Sequence, residues 1–271
     1  MIYVQIASYR DPQLIPTINS LIDNADNPDN IVIGIAWQHG QEEDIYPHLP
    51  KANYRIIDIP YQESKGACWA RRKLQLSYGG EPYTLMIDSH HRFVSGWDTK
   101  LLEMHAQLGP KSIITTYLPS FNPETEDRVD CPWRIKFDKK TSQGVVSTIP
   151  DYMIGVTAPE PAKFFSAHFA FVAGSFISDI PYDDQLYFLG EETSIAARAF
   201  THGYDMYHPH ILLAWHEYTR NGRRKHWDDH PDWWKQDLSS VDRYLTMAGM
   251  GNERTLQEYE SFIGFTLVSK P

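Results

Sequence analysis

Apolar residues fall along this chain in short unbroken runs separated by stretches of helical period. Ile2 to Ala7 (IYVQIA) is an apolar run that stops at Ser8-Tyr9-Arg10-Asp11-Pro12, the pattern of a buried strand entering a polar loop. A helix is predicted next: Leu14, Ile15, Ile18, Leu21 and Ile22 recur at its spacing, and Asp11-Pro12 supplies a cap and a first-turn proline. Ile31 to Trp37 (IVIGIAW) and Tyr54 to Ile59 (YRIIDI) read as two further strands. Gly66 to Leu76 (GACWARRKLQL) reads as a helix that begins at a glycine and carries two arginines and a lysine. Tyr83 to Ile87 (YTLMI) is the next strand and runs directly into Asp88-Ser89-His90-His91-Arg92.

This alternation of strand and helix predicts an α/β fold with a mostly parallel sheet and crossover helices. Ligands of such sheets bind beyond the carboxyl ends of the strands, where both Ser8-Tyr9-Arg10 and Asp88-Ser89-His90 would sit. From Pro119 to Pro161 the composition shifts to Pro, Asp, Glu and Lys with short β-like pieces such as Val145 to Thr148, and reads as an irregular insertion within one domain. Periodic structure returns with a strand at Phe169 to Phe176 (FAFVAGSF), a helix at Glu191 to Phe200 and a last strand at Ile211 to Trp215. Past Asn221 the chain is polar and aromatic. One domain over 1–271 is expected, with a nucleotide- and metal-binding half (1–118), the insertion (119–161), an acceptor half with a closing loop (162–235) and a C-terminal tail (236–271).

Composition narrows the classes. No run approaches the roughly 20 apolar residues of a membrane-spanning helix, and the start lacks the basic-then-apolar order of a signal peptide, so a cytoplasmic protein with no membrane partner is expected. Two cysteines, Cys68 and Cys131, are too few for a disulfide framework and lack metal-ligand spacing. A formal charge of −10 repels phosphate backbones and weighs against non-specific nucleic-acid binding, although Arg220 to Lys225 (RNGRRK) forms a local basic cluster. The 8 Trp and 16 Tyr suit sugar or base stacking and suit a packed core equally well, so they decide nothing.

The sharpest chemical signal is Asp88-x-His90 at the end of an apolar strand. If the segment stays extended, alternate residues point the same way, and a carboxylate and an imidazole can meet one cation that neutralises a diphosphate. The competing reading is a strand-end Asp that caps the next turn beside an exposed His90. Asp88-Ser89-His90 after YTLMI, with Trp97-Asp98 downstream, resembles the metal motif of GT-A glycosyltransferases. The resemblance is to the N-acetylglucosaminyltransferase family that modifies hydroxyproline in a cytosolic ubiquitin-ligase subunit. Other pieces agree in order and spacing: IASYRDPQLIPTI, KGACWARRKLQ, FVAGSF, Phe188-Leu189-Gly190-Glu191-Glu192 and His216-Glu217-Tyr218-Thr219-Arg220. Together they cover about Ile2 to Trp234 and are weakest between Pro119 and Pro161.

The resemblance implies a GT-A-like, Rossmann-type sheet and a nucleotide-sugar donor, UDP-linked, with GlcNAc transferred to a hydroxyl with retention. Mn²⁺ or Mg²⁺ would be held by Asp88, His90 and, as third ligand, His216, with His208 and His210 as competitors. Ala7, Ser8, Tyr9 and Arg10 match the loop that holds base and ribose, Arg10 having a salt bridge to Asp11 or Asp58 as its structural alternative. Gly66 and Arg71 match the segment that frames the diphosphate, and Ser89 lies inside the metal motif; Arg71 or Arg72 could equally be a solvated helix charge. Glu191 and Glu192 match the acidic element that faces acceptor or sugar, or they favour a helix dipole. Arg223 and Arg224 match a closing loop over the donor. Acceptors left open are a protein hydroxyproline, a glycan and a hydroxylated nucleobase. A metal-dependent nucleotide-sugar or phosphoester hydrolase would use the same centre with water as acceptor, and a sugar-binding module would explain the aromatics alone. His91 departs from the apolar neighbour expected beside the metal motif.

Overall fold

The computed structural model describes residues 1–219 and 223–267. The apolar runs become the middle of an eight-stranded sheet ordered β3 (Asn53–Pro60), β2 (Ile31–His39), β1 (Ile2–Tyr9), β4 (Tyr83–Asp88), β10 (Phe169–Ala173), β6 (Ser112–Thr115), β11 (Asp205–His208) and β9 (Glu160–Pro161). β1, β2, β3 and β4 are parallel, in a register that sets Ala7 of β1 between Ala36 and Asp88. β10 runs antiparallel to both β4 and β6, so the sheet is mixed and not uniformly parallel. The chain reaches β10 through a long excursion instead of a crossover helix, and only a parallel neighbour requires such a helix.

Both faces of the sheet are covered, which is why its central strands are apolar throughout instead of alternating. Leu85 and Ile87 join Leu14, Ile18 and Leu21 of α1 (Leu14–Asp23) and Trp97 and Leu101 of α3 (Trp97–Leu108) in one core. Met86, between them on β4, faces the opposite core with Ile195 and Ala196 of α5 (Glu191–Thr201), Tyr244 of α7 (Trp233–Leu245) and Tyr259 of α8 (Leu256–Ile263). Ala70 and Leu74 of α2 (Ala67–Leu76) pack on Ala36 and Ile59. Two four-residue helices, α4 (Phe176–Asp179) and α6 (His226–Asp229), complete the set among the described residues.

Several elements depart from the expectation. The stretch expected to be irregular contains an antiparallel hairpin, β7 (Trp133–Lys140) with β8 (Val146–Tyr152), and contributes β9. The polar tail holds α7 and α8, whose buried stripes, Val241 with Tyr244 and Tyr259 with Ile263, are too narrow to stand out against their charged residues. The last strand is not Ile211 to Trp215 but β12 (Ala214–His216), which pairs antiparallel with β5 (His91–Phe93) and sets His216 directly opposite His91. No helix among the described residues is long and apolar enough to cross a membrane, and Cys68 and Cys131 are both free thiols.

Candidate active site

Two pieces of local folding build the centre. β4 delivers Asp88 to the carboxyl edge of the sheet, and the chain then bends at residues 89–90 before β5 begins. The expected extended alternation therefore does not orient His90; the bend does. The β5–β12 pairing returns His216 to the same place from more than a hundred residues away. Asp88, His90 and His216 each present a ligand atom, all within 4.8 Å of one another. His216 Nε2 lies 3.4 Å and His90 Nε2 3.8 Å from Asp88 Oδ2.

These residues fit a divalent ion. His90 Nε2 is buried without a hydrogen-bond partner, a costly arrangement that a ligand bond would relieve. Burial and the neighbouring imidazoles push His216 well below the ordinary histidine value, leaving it neutral as a ligand must be. Burial alone would raise the Asp88 carboxyl, but its contact with His216 and the Arg71 charge hold it well below the usual carboxylate range. One carboxylate and two imidazoles form a mixed oxygen and nitrogen donor set for a divalent ion.

The outer support lies largely on Asp11. Its Oδ1 accepts the Gln13 backbone N–H at 2.8 Å. Its Oδ2 accepts from His90 Nδ1 at 2.7 Å, the Ser89 hydroxyl at 2.8 Å and Arg223 at 2.8 Å. Although burial opposes it, the His90 contact and the Arg223 charge hold this carboxyl down at about 2. Across the centre Arg71, itself buried, donates to Asp88 Oδ1 at 2.6 Å and lies 3.6 Å from Glu191. Glu191 and Glu192 open α5 after Gly190, whose φ of +85° and contact with the Tyr244 ring, 2.6 Å from where a Cβ would stand, favour glycine. Burial raises the Glu191 carboxyl, and it pushes Glu192 up to about 7 despite the Ala167 N–H that Glu192 accepts at 2.8 Å.

Two cavities meet at this centre. The smaller, about 140 Å³, is lined by Ala7, Tyr9, Gln38, Gly66, His226 and Trp227. The larger, about 390 Å³, is lined by Tyr117, Val145, Thr148, His168, Glu191 and Glu192. Ala67, Arg71, Asp88 and Phe188 border both.

Of the residues singled out in the sequence, Ala7, Tyr9, Gly66 and Arg71 thus gather at the smaller cavity and Glu191, Glu192 and His216 at the larger. Ser8 is buried, with its carbonyl accepting from Gln38. Ser89 turns to Asp11. Arg10 reaches neither cavity: its guanidinium pairs with Glu42 at 2.6 Å, Glu43 at 3.0 Å and Asp229 at 3.3 Å, and lies over the Tyr61 ring. Arg223 is buried between Asp11 and Glu217, 2.5 Å from the latter, and Arg224 is mostly exposed, 4.0 Å from Asp229. Arg220, Asn221 and Gly222 of the basic cluster lie outside the described residues. His208 bonds the Thr115 carbonyl at 2.9 Å, and burial drives it down to about 4; neither it nor His210 joins the ligand group. Trp97 and Asp98 are structural: the indole donates to Leu21, and Asp98 accepts the Asp26 and Asn27 backbone N–H groups.

Sequence reading missed the role of Asp11, which it treated as a helix cap and as a salt-bridge alternative for Arg10, and it missed His168. His168 stacks on His216 with centroids 4.4 Å apart, donates from Nδ1 to Ser166 and accepts the Leu118 N–H at Nε2. A lone buried histidine carries no local pattern that would reveal this. His226 and Trp227 were visible only as part of a basic-aromatic run.

Among solved structures the chain is similar to GalNAc-T7 crystallised with UDP, GalNAc and Mn²⁺ (12% identity, TM-score 0.62, covering 98% of this chain and 55% of that one). It is also similar to residues 1–349 of S. aureus TarS (11% identity, TM-score 0.58, covering 97% of this chain and 69% of that one). The same TarS fragment with UDP-GlcNAc gives 11% identity and a TM-score of 0.58, covering 97% of this chain and 70% of that one. At such identities the similarity is one of fold, and the fold is GT-A. This chain spans about half the length of GalNAc-T7, 55%. The family model described as Glycosyltransferase (GlcNAc) matches residues 1–52 and 46–248, so the chain belongs to that glycosyltransferase family. No curated protein sequence matches it.

Proposed function

We propose that this protein is a metal-dependent glycosyltransferase that moves GlcNAc from UDP-GlcNAc to a hydroxyl group with retention of configuration. The observation that carries the reading is the convergence of Asp88, His90 and His216, with Asp88 lining both cavities and His216 the larger. The solved relatives with UDP and Mn²⁺ or with UDP-GlcNAc support the choice of donor and ion. In this reading the smaller cavity takes the nucleoside between Tyr9, His226 and Trp227, and Gly66 lets the backbone approach the donor closely. Held by Asp88, His90 and His216, Mn²⁺ or Mg²⁺ would neutralise the diphosphate as charge develops on it. Arg71 adds fixed positive charge at the border of the two cavities.

The larger cavity takes the sugar and the acceptor. As the anomeric C–O bond to phosphate breaks, the acceptor oxygen bonds to the same carbon, and its proton passes to the departing phosphate. Glu191 is tied to Arg71, and Glu192 accepts the Ala167 N–H, so neither stands as a free carboxylate base. This supports a retaining reaction, in which no dedicated base is required. Asp88, Glu191 and Glu192 line the larger cavity, and Arg71, the one arginine or lysine among its lining residues, is already paired with Asp88 and Glu191, so a neutral hydroxyl suits the cavity better than an anionic acceptor. A protein hydroxyproline, a glycan or a hydroxylated nucleobase would each supply one. Two free thiols suit a reducing compartment, in keeping with a cytoplasmic location.

Thermal stabilisation by a panel of nucleoside diphosphates and nucleotide sugars, with Mn²⁺ and with EDTA, tests the reading, because a ligand bound only by the folded state raises the melting temperature. A shift that requires both Mn²⁺ and UDP-GlcNAc is expected. Release of UDP at full rate without any acceptor would instead favour the hydrolase.

A further inference from the structure

We propose that Asp11 is the positioning residue of the ion site, holding His90 in the one tautomer and orientation that can bind the ion, and that Arg223 clamps Asp11 in place. The inference rests on the ion-site reading above. A turn cap needs one carboxylate oxygen, and Oδ1 performs that task by accepting the Gln13 N–H. Oδ2 is left over, and it gathers His90 Nδ1, the Ser89 hydroxyl and Arg223 within 2.7 to 2.8 Å. An ionised carboxylate only accepts, so His90 must carry its proton on Nδ1. In the neutral ring that a metal ligand must be, Nε2 is then bare, and that is the buried atom without a hydrogen-bond partner that faces Asp88. Carboxylate, imidazole and ion in series fix ring orientation and raise ligand basicity, and loss of such an outer partner costs roughly 10- to 100-fold in metal affinity.

Arg223 extends the support. One of its terminal nitrogens bonds Asp11, and the other lies 2.5 Å from Glu217, the residue after His216, whose backbone N–H donates to the His90 carbonyl at 3.1 Å. A single guanidinium thus braces the carboxylate behind one ligand and the backbone beside the other. Three residues further on, His226 begins α6 and lines the smaller cavity, so the brace links that wall to the ion site.

The test is Mn²⁺ binding by the full chain without donor, followed through loss of the free-ion electron paramagnetic resonance signal, together with the His90 tautomer read from long-range ¹H–¹⁵N spectra of the metal-free protein. Asp11→Ala is expected to raise the Mn²⁺ dissociation constant roughly 10- to 100-fold and to release His90 from the Nδ1-protonated form. Asp11→Asn keeps one carbonyl oxygen, which can serve His90 only by turning its NH₂ toward the Gln13 N–H, so it should recover only part of the Mn²⁺ affinity lost in the Ala variant. If Asp11→Ala does not fold, Asp11→Ser, which can still cap Gln13 but falls short of His90, should show the same losses. Wild-type affinity and an unchanged tautomer in the Ala or Ser variant would overturn the inference alone. A wild-type chain that binds no Mn²⁺ would overturn the ion-site reading and the inference with it.

Discussion

The two cavities that share Asp88 are built in different ways. The smaller draws Ala7, Tyr9 and Gln38 from the carboxyl ends of adjacent parallel strands and Gly66 from the start of α2, all in the first third of the chain, and is closed by Tyr187, Phe188, His226 and Trp227 from the last third. The larger draws on the hairpin through Val145 and Thr148, on the irregular approach to β10 through His168, and on α5 through Glu191 and Glu192. A binding site at the ends of parallel strands follows from topology and is legible wherever the strands are. A site assembled from a hairpin, a loop and a helix start follows from packing between distant pieces. In the proposed reading the first kind holds the donor and the second the acceptor.

Asp88→Ala should erase the comparison, because both cavities lose the one proposed ion ligand that lines both. Transfer is expected to fall by at least about 10²-fold, the scale for removing one preorganised electrostatic partner, with Mn²⁺ binding lost in parallel. Full activity in this variant would refute the shared centre.

Glu192→Gln addresses the larger cavity alone. A folded-state value raised from 4.5 to about 7 means the folded protein holds that proton more tightly than the unfolded chain. The corresponding stability, roughly 3 kcal/mol, is fully present below the unfolded value and is lost as pH rises through about 7. Denaturant unfolding at pH 5 and pH 8 should show wild type losing more stability than the Gln variant over that interval, with donor affinity unchanged. Equal pH dependence in the two proteins would contradict the burial of an ionisable Glu192.

Gly66→Ala addresses the smaller cavity alone. At a φ of +101° and ψ of −178° an added Cβ would stand 2.6 Å from the Tyr187 ring, so backbone strain of about 1–3 kcal/mol adds to a clash beside the cavity. Donor KM should rise about tenfold while acceptor KM holds, and a rise confined to acceptor KM would reverse the assignment of the two cavities. Arg224→Ala should have the smallest effect. Its side chain is mostly exposed and its partner distant, so the rate should stay within about twofold; a tenfold loss would place this arginine on the donor after all.

How much could be read beforehand varies along the chain for physical reasons. Runs such as IYVQIA and YTLMI are strands buried on both faces, and an unbroken apolar run of strand length has few other uses. The α1 stripe was equally plain. By contrast, the hairpin of β7 and β8 lies at the surface, where an exposed Phe137 and charged residues such as Lys136 and Lys139 obscure the alternation, and α7 and α8 bury only narrow stripes. Asp88 and His90 could be found because they directly follow an apolar strand. Arg10 could not be assigned from sequence between ligand and salt bridge because a charged residue at a strand end looks the same whether it faces a ligand or, as here, three carboxylates.

By itself, the sequence determined the α/β class, the order of the central strands' contributors, and the Asp-x-His pair at a strand end, since each depends on residues close together along the chain. It also carried the ordered motifs behind the resemblance to GT-A enzymes. Only the tertiary structure decided that His216, and not His208, completes the group, because that choice follows from the pairing of β5 with β12. The tertiary structure alone also turned Asp11 from a cap into the support of His90, and Arg223 from a loop charge into a buried brace. Hydrogen bonds and ion pairs between residues 79 and 212 positions apart depend on three-dimensional closure, and no local pattern encodes them.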